Sequence, residues 1–120
     1  MPKSRRWTQD ELVLALHEYK QFPNPVTVKE KAVTDLSDLL RRLNDPNDYP
    51  NPEDFRNPSE VARKINSFGW YDPESLDFKG TRDGTFEAAV WVEFGSLHEK
   101  RLHEVAKITQ STKKLQIQRI

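Results

Sequence analysis

The chain has 120 residues, enough for one domain with a modest core, and its 35% hydrophobic against 32% charged residues describe a water-soluble protein. Nineteen Lys and Arg against nineteen Asp and Glu give zero net charge, which excludes a uniformly basic nucleic-acid coat and leaves only a local patch open. The absence of cysteine excludes disulfides, thiolate catalysis and cysteine zinc sites. No apolar run approaches the roughly 18 residues of a membrane span, and Met1–Arg6 lacks a signal-type cleavage pattern, so a cytoplasmic protein without membrane contact is expected.

The first element is announced by Trp7-Thr8-Gln9-Asp10-Glu11-Leu12. Thr8 and Glu11 have capping-box spacing, and Trp7 can staple onto Leu12 across the box. Leu12, Ala15, Leu16 and Tyr19 then form a helical stripe, predicting a helix over about 9–20 that Pro23 and Pro25 close. His17 lies within it with no second ligand at metal spacing and reads as a packing or surface residue. A second capping-box pattern, Thr27-Val28-Lys29-Glu30, precedes Ala32, Val33, Leu36, Leu39, Leu40 and Leu43, predicting a helix over 29–43. Its outer side is charged, with Asp38 spaced to pair with Arg41 or Arg42. The leucines are too few for a coiled coil and read as core.

Residues 44–57 form a long acidic loop broken by Pro46, Pro50 and Pro52, which reads as an insertion or as a shield for the basic helix that follows. That helix, over about 58–68, has the sharpest signals in the chain. Asn57 is its N-cap, Pro58 its first residue and Glu60 its box acid, while Val61, Ala62, Ile65 and Phe68 face a core and Gly69 supplies a left-handed stop. Arg56, Ser59, Arg63, Lys64, Asn66 and Ser67 lie around the remaining surface, a basic and amide-bearing face suited to DNA.

Trp70 and Tyr71 follow, as lids on a small core or as a stacking platform for a base. Phe86–Phe94 fits a strand by alternation and a helix by three-to-four spacing; with no convincing partner strand elsewhere, a helix over 85–94 is the better reading. Ser96 and Glu99 open a last helix, 97–109, with Leu97, Leu102, Val105, Ala106 and Ile108 as its apolar contacts, before a fraying basic tail at 110–120. From residue 100 onward six basic residues, among them Lys113 and Lys114, face only Glu104, and such a tail can hold phosphate without reading sequence. His98 and His103 are five apart, which is not metal-ligand spacing on a helix, so no metal or cofactor is expected.

The motifs Trp7–Tyr19, Leu36-Ser37-Asp38-Leu39-Leu40-Arg41, Arg56–Phe68, Asp72-Pro73 and Val90-Trp91-Val92-Glu93-Phe94 resemble the N-terminal region of bacterial and phage HNH-endonuclease-like proteins of the restriction type. The resemblance covers about residues 5 to 105. It implies a trihelical part similar to Myb-like helix-turn-helix domains, with a tryptophan in the first helix and a DNA-reading third helix, and it favours the helix at 86–94. The sequence departs from that pattern in two respects: His17, His98 and His103 cannot assemble an HNH metal site, and the acidic loop is longer.

The combined expectation is an all-α domain over 1–109 with about five helices, the first three forming a helix-turn-helix-like unit. It would be a non-enzymatic, sequence- or structure-selective module for double-stranded DNA, the target-recognition part of a system whose nuclease is a partner or a fused domain. Arg63 and Asn66 would read base edges, with Arg56, Ser59 and Lys64 on phosphates and Ser67, Lys113 and Lys114 as further contacts. The alternative is a protein-interaction module of a prokaryotic or phage system with no DNA contact.

Overall fold

A computed structural model describes residues 6–21, 25–44, 46–49, 51–80, 85–95 and 99–118, without the side chains of 46, 99 and 110–118. The described residues are all-helical: α1 (Gln9–Gln21), α2 (Lys31–Leu43), α3 (Pro58–Ser67), α4 (Phe86–Phe94) and α5 (Glu99–Gln118), with short 3₁₀ turns at Pro46–Asp48 and Phe68–Trp70. None of these helices is long and apolar enough to cross a membrane.

The capping box of α1 forms as its spacing predicts. The Thr8 amide donates to Glu11 Oε1 at 3.0 Å and the Glu11 amide to Thr8 Oγ1 at 3.2 Å. Beyond it the helix is buried on nearly every side, because Val13 and Leu14 add apolar surface opposite the stripe of Leu12, Ala15, Leu16 and Tyr19. A helix apolar around its circumference needs neighbours all round. The other four helices supply them, each packing against α1.

The spacing at Thr27 and Glu30 misleads. Thr27 Oγ1 accepts from the Lys29 amide and its carbonyl from the Glu30 amide, so these residues close a turn before the helix, and α2 starts at Lys31 with Glu30 as an extended N-cap lacking a side-chain bond. The stripe is as read: Val33, Leu36, Leu40 and Leu43 are buried and Leu39 packs against the core from its edge. Asp38 makes no ion pair with its expected partners. Arg42 instead reaches the Asp38 carbonyl at 3.4 Å, and Arg41 Nη1 donates to the carbonyls of Pro52 and Phe55. Arg41 therefore ties the acidic segment down to α2. Phe55, fully buried, stacks on Tyr49 with ring centroids 3.8 Å apart.

Asn57 caps α3 through Oδ1, which accepts from the Glu60 amide at 2.9 Å, and Pro58 fills the position that needs no N–H. The helix does not stop on a left-handed glycine. Phe68–Trp70 continues it as a 3₁₀ turn, and Gly69 instead permits close approach, since a Cβ there would stand 3.1 Å from Ser75 Oγ. Positive φ occurs, among the described residues, at Gly80 and at Arg56.

Phe86–Phe94 is helical, with Thr85 Oγ1 accepting from the Ala88 amide at 3.1 Å. Ala88 and Val90 are buried on opposite sides of the helix with Trp91 and Phe94 packed beside them, while Phe86 and Val92 face solvent. α5 extends through Gln118 rather than fraying at 109. Leu102 and Ala106 dock it on the core with Val105 packed beside them, whereas Ile108, which the sequence pattern placed among the apolar contacts, is exposed. Leu97 and the Ser96 cap lie outside the described residues.

Leu40 and Ile65 sit in the fully enclosed centre of this packing. Leu40→Ala or Ile65→Ala is expected to lower stability by roughly 2–5 kcal/mol, read by chemical denaturation, because each leaves a cavity in a small core.

Candidate nucleic-acid interface

Arg56 occupies the base of the basic face, and the structure corrects its assignment to phosphate. It is 1% exposed. A buried guanidinium must be met by opposite charge and by acceptors for its fixed donors, and both are present. Nε and Nη2 donate to the two oxygens of Glu11 at 3.0 and 3.1 Å, Nη1 to Glu60 Oε1 at 2.8 Å, and Nη2 also to the Arg6 carbonyl at 3.2 Å. Trp7 and Phe55 lie against the guanidinium with ring centroids 4.7 and 4.5 Å away, and the Trp7 indole N–H donates to Glu60 Oε1 at 3.1 Å. The backbone of Arg56 is part of the same assembly: its φ is +49°, its amide donates to Glu60 Oε2 at 3.3 Å, and its carbonyl accepts from Ser37 Oγ at 2.6 Å. A left-handed non-glycine residue is costly, and here hydrogen bonds at both its amide and its carbonyl hold it.

Two further candidates also turn out to hold the fold. Asn66 pairs both ends of its carboxamide with Val26, Oδ1 accepting from the Val26 amide at 2.8 Å and Nδ2 donating to the Val26 carbonyl at 2.9 Å. It fastens the segment before α2 to α3 and has no amide edge left for a base. Ser67 is 7% exposed and donates its hydroxyl to the Lys64 carbonyl one turn back at 2.7 Å. Lys64 remains at the surface but pairs with Glu87 at 2.7 Å, both side chains being about a quarter to a fifth exposed. Lys113 and Lys114 lie on α5, with side chains outside the described residues.

What α3 offers to solvent is Ser59 and Arg63, one turn apart and both exposed. Neither makes a hydrogen bond or ion pair with a described residue. Arg63 stands between two open cavities. One, of about 790 Å³, is lined by Arg6, Ser59, Lys64, Trp70 and Glu87 among others. The second, of about 690 Å³, is lined by Tyr19, Pro25, Trp70 and Leu76 among others. Trp70, 42% exposed, borders both beside Arg63, with Lys79 Nζ 5.1 Å from its ring centroid. The floor of the second cavity is fixed by Tyr19, whose hydroxyl donates to Asp72 Oδ2 at 2.8 Å; burial and then that hydrogen bond raise the phenol well above its ordinary pKa.

The sequence did not bring Arg6 or Glu87 to this surface. Arg6 is placed by the burial of its neighbour Trp7, and Glu87 by the Thr85 cap, which turns the first turn of α4 toward α3. The Thr85-Phe86-Glu87 cap pattern was the available signal.

Arg56→Ala is expected to destabilise the free protein by about 3–5 kcal/mol, because it leaves the buried Glu11 carboxylate without its partner. Arg56→Lys should recover only part of this, since an ammonium lacks the planar fork that meets both Glu11 oxygens. Denaturation without nucleic acid checks both. Compared with protein-family models, curated proteins and solved structures, the chain matches none.

Proposed function

We propose that the chain is a non-catalytic duplex DNA-binding module that reads DNA with the outer face of α3. The observation that carries this is the pair Ser59 and Arg63: polar side chains one helical turn apart, exposed, and without partners among the described residues. An arginine held out on the rigid surface of a helix has the reach and the paired donors to bind the O6 and N7 edge of guanine, and a serine near the helix start suits a phosphate oxygen. Arg6 flanks the same cavity, whose other charges are the Lys64–Glu87 pair, Asp54 and Glu60, and Trp70 beside Arg63 offers an apolar surface to sugar or base. The resemblance of Trp7–Tyr19 and Arg56–Phe68 to the N-terminal region of HNH-type restriction proteins favours the same helix. In this reading α1 to α3 act as a helix-turn-helix-like unit whose second and third helices are joined by the segment 44–57 rather than by a short turn. The protein would work in the cytoplasm, beside or fused to a nuclease.

A second reading, docking of a protein partner, has one observation in its favour: Leu76 is fully exposed and Phe78 about half exposed on the segment after Trp70, next to Glu74 and Asp77.

The two readings separate on Arg63. With the full chain and fluorescence anisotropy on selected and random duplexes, Arg63→Ala should cost about 1–3 kcal/mol on the preferred site and relax its sequence preference. Ser59→Ala should weaken all duplexes alike and to a smaller extent. If a folded Ser59→Ala, Arg63→Ala double variant binds both duplexes as the parent does, α3 is not the reading element.

A further inference from the structure

The segment from Trp70 to Lys79 runs out from the 3₁₀ turn after α3 and returns to its starting point, since the Lys79 amide donates to the Trp70 carbonyl at 2.7 Å. Between these ends it is hydrogen-bonded to itself. The Ser75 amide donates to the Asp72 carbonyl at 2.9 Å and the Phe78 amide to the Ser75 carbonyl at 3.3 Å. Asp72 Oδ1 accepts from the Glu74 amide at 2.9 Å, and Ser75 Oγ from the Asp77 amide at 3.1 Å. The segment is also fastened to the core, because the Tyr19 hydroxyl donates to Asp72 Oδ2 at 2.8 Å and Ser75 lies close against Gly69. A surface segment with joined ends and its own internal bonds is an Ω-loop, whose shape is set before any partner arrives.

This fixed loop holds apolar side chains out in water. Leu76 is fully exposed and contributes nothing to the core, and Trp70 and Phe78 are each a little under half exposed. Trp70 and Leu76 line the same open cavity. Single exposed apolar residues are ordinary on a protein surface, but several gathered on one ordered loop form a patch. The charge around the patch is largely of one sign. From Asp72 to Phe78 there are three carboxylates and no cation. Asp72 is engaged by Tyr19, whereas Glu74 and Asp77 are exposed, and neither carboxylate has a hydrogen bond or ion pair with a described residue. Lys79, the next cation, has its Nζ over the Trp70 ring, and Arg63, which lines the cavity, belongs to α3. A nucleic acid would bring phosphates against Glu74 and Asp77, while a protein surface can bring them Lys or Arg together with a pocket for a leucine.

We propose that the loop 70–79 is a preformed docking site for a protein partner whose surface offers an apolar socket to Leu76 and Lys or Arg side chains to Glu74 and Asp77, a proposal that rests on the protein-docking reading of this segment and is independent of DNA contact by α3. Because the loop is already ordered, docking loses little conformational entropy, and the apolar area of Leu76 is available to the partner without rearrangement.

The test uses the full chain as bait for a random peptide library displayed on phage, with the enriched peptides synthesised and titrated by fluorescence anisotropy. They should combine apolar residues with Lys or Arg. Leu76→Ala should weaken them about tenfold or more, and Glu74→Gln with Asp77→Asn should weaken them and reduce their salt dependence. Ile108→Ala, at an exposed apolar position on α5, should leave them unchanged. Leu76→Ala should also leave Tm unchanged, so its effect on binding is not one of folding. Enriched peptides of neutral or acidic composition would overturn the chemistry assigned to the partner and leave protein docking standing. No enrichment, or equal binding to Leu76→Ala, would overturn docking by this loop as well. A loss of duplex DNA affinity in Leu76→Ala would make the loop a DNA contact and overturn the proposal too.

Discussion

The fold depends on meeting one buried positive charge. Arg56 is enclosed where the start of α1, the start of α3 and the middle of α2 converge, and each contributes something that a guanidinium or its strained backbone requires: Glu11, Glu60 and the Ser37 hydroxyl. Burying a charge is expensive, and the attraction of two carboxylates largely offsets that expense rather than exceeding it. What the assembly contributes is therefore geometry more than net stability. A planar fork bonded to both oxygens of Glu11 and one of Glu60 admits a single arrangement of these helix ends, so the direction in which α3 presents its outer face is set from its base.

This has a direct consequence for function. The chain is neutral overall, and the cations nearest the core on the basic face are already matched, Arg56 by two glutamates and Lys64 by Glu87. Positive charge is left where α3 projects farthest from the core, at Arg63. A surface built in this way has little general affinity for polyanions, so in the proposed reading association with DNA would rest on a few well-placed contacts more than on bulk attraction. The acidic segment 44–57, tied to α2 through Arg41 and Phe55, works in the same direction.

Where the physics is local, the sequence was legible. Thr8 with Glu11 formed the reciprocal box its spacing announces, and Asn57 capped α3, although Glu60 turned its carboxylate to Arg56 and Trp7 instead of back to the Asn57 amide; the α2 stripe faces the core, and Phe86–Phe94 is a helix, with Ala88 and Val90 buried. What sequence could not show is pairing at a distance. Glu11 reads as a capping residue and is one, but the same carboxylate meets an arginine 45 residues away. Asn66 reads as a base-reading amide, and its partner is a backbone 40 residues earlier. Such residue types serve DNA edges and peptide edges equally well, and helical spacing places a residue on a face without saying what that face meets. The contact of His103 Nδ1 with His17 Nε2, at 3.0 Å and 86 residues apart in the chain, is subject to the same limit. Two expectations failed for local reasons. Thr27 satisfied its bond to Lys29 in a turn instead of a cap, and Gly69 lies close against Ser75 in a 3₁₀ turn instead of using its left-handed freedom. Of the candidate site, Ser59 and Arg63 kept the exposed placement read from spacing, while Arg6 and Glu87 became visible only through packing.

The most direct test of the account is amide and side-chain NMR of the full chain titrated with a selected duplex. Binding by the outer face of α3 predicts that the largest shift changes fall on Ser59, the Arg63 guanidinium and the Trp70 indole, with the Arg56 side-chain resonances almost unmoved in their buried cluster. Changes confined to Leu76, Phe78 and their acidic neighbours, or large changes at Arg56 with Arg63 unmoved, would contradict it.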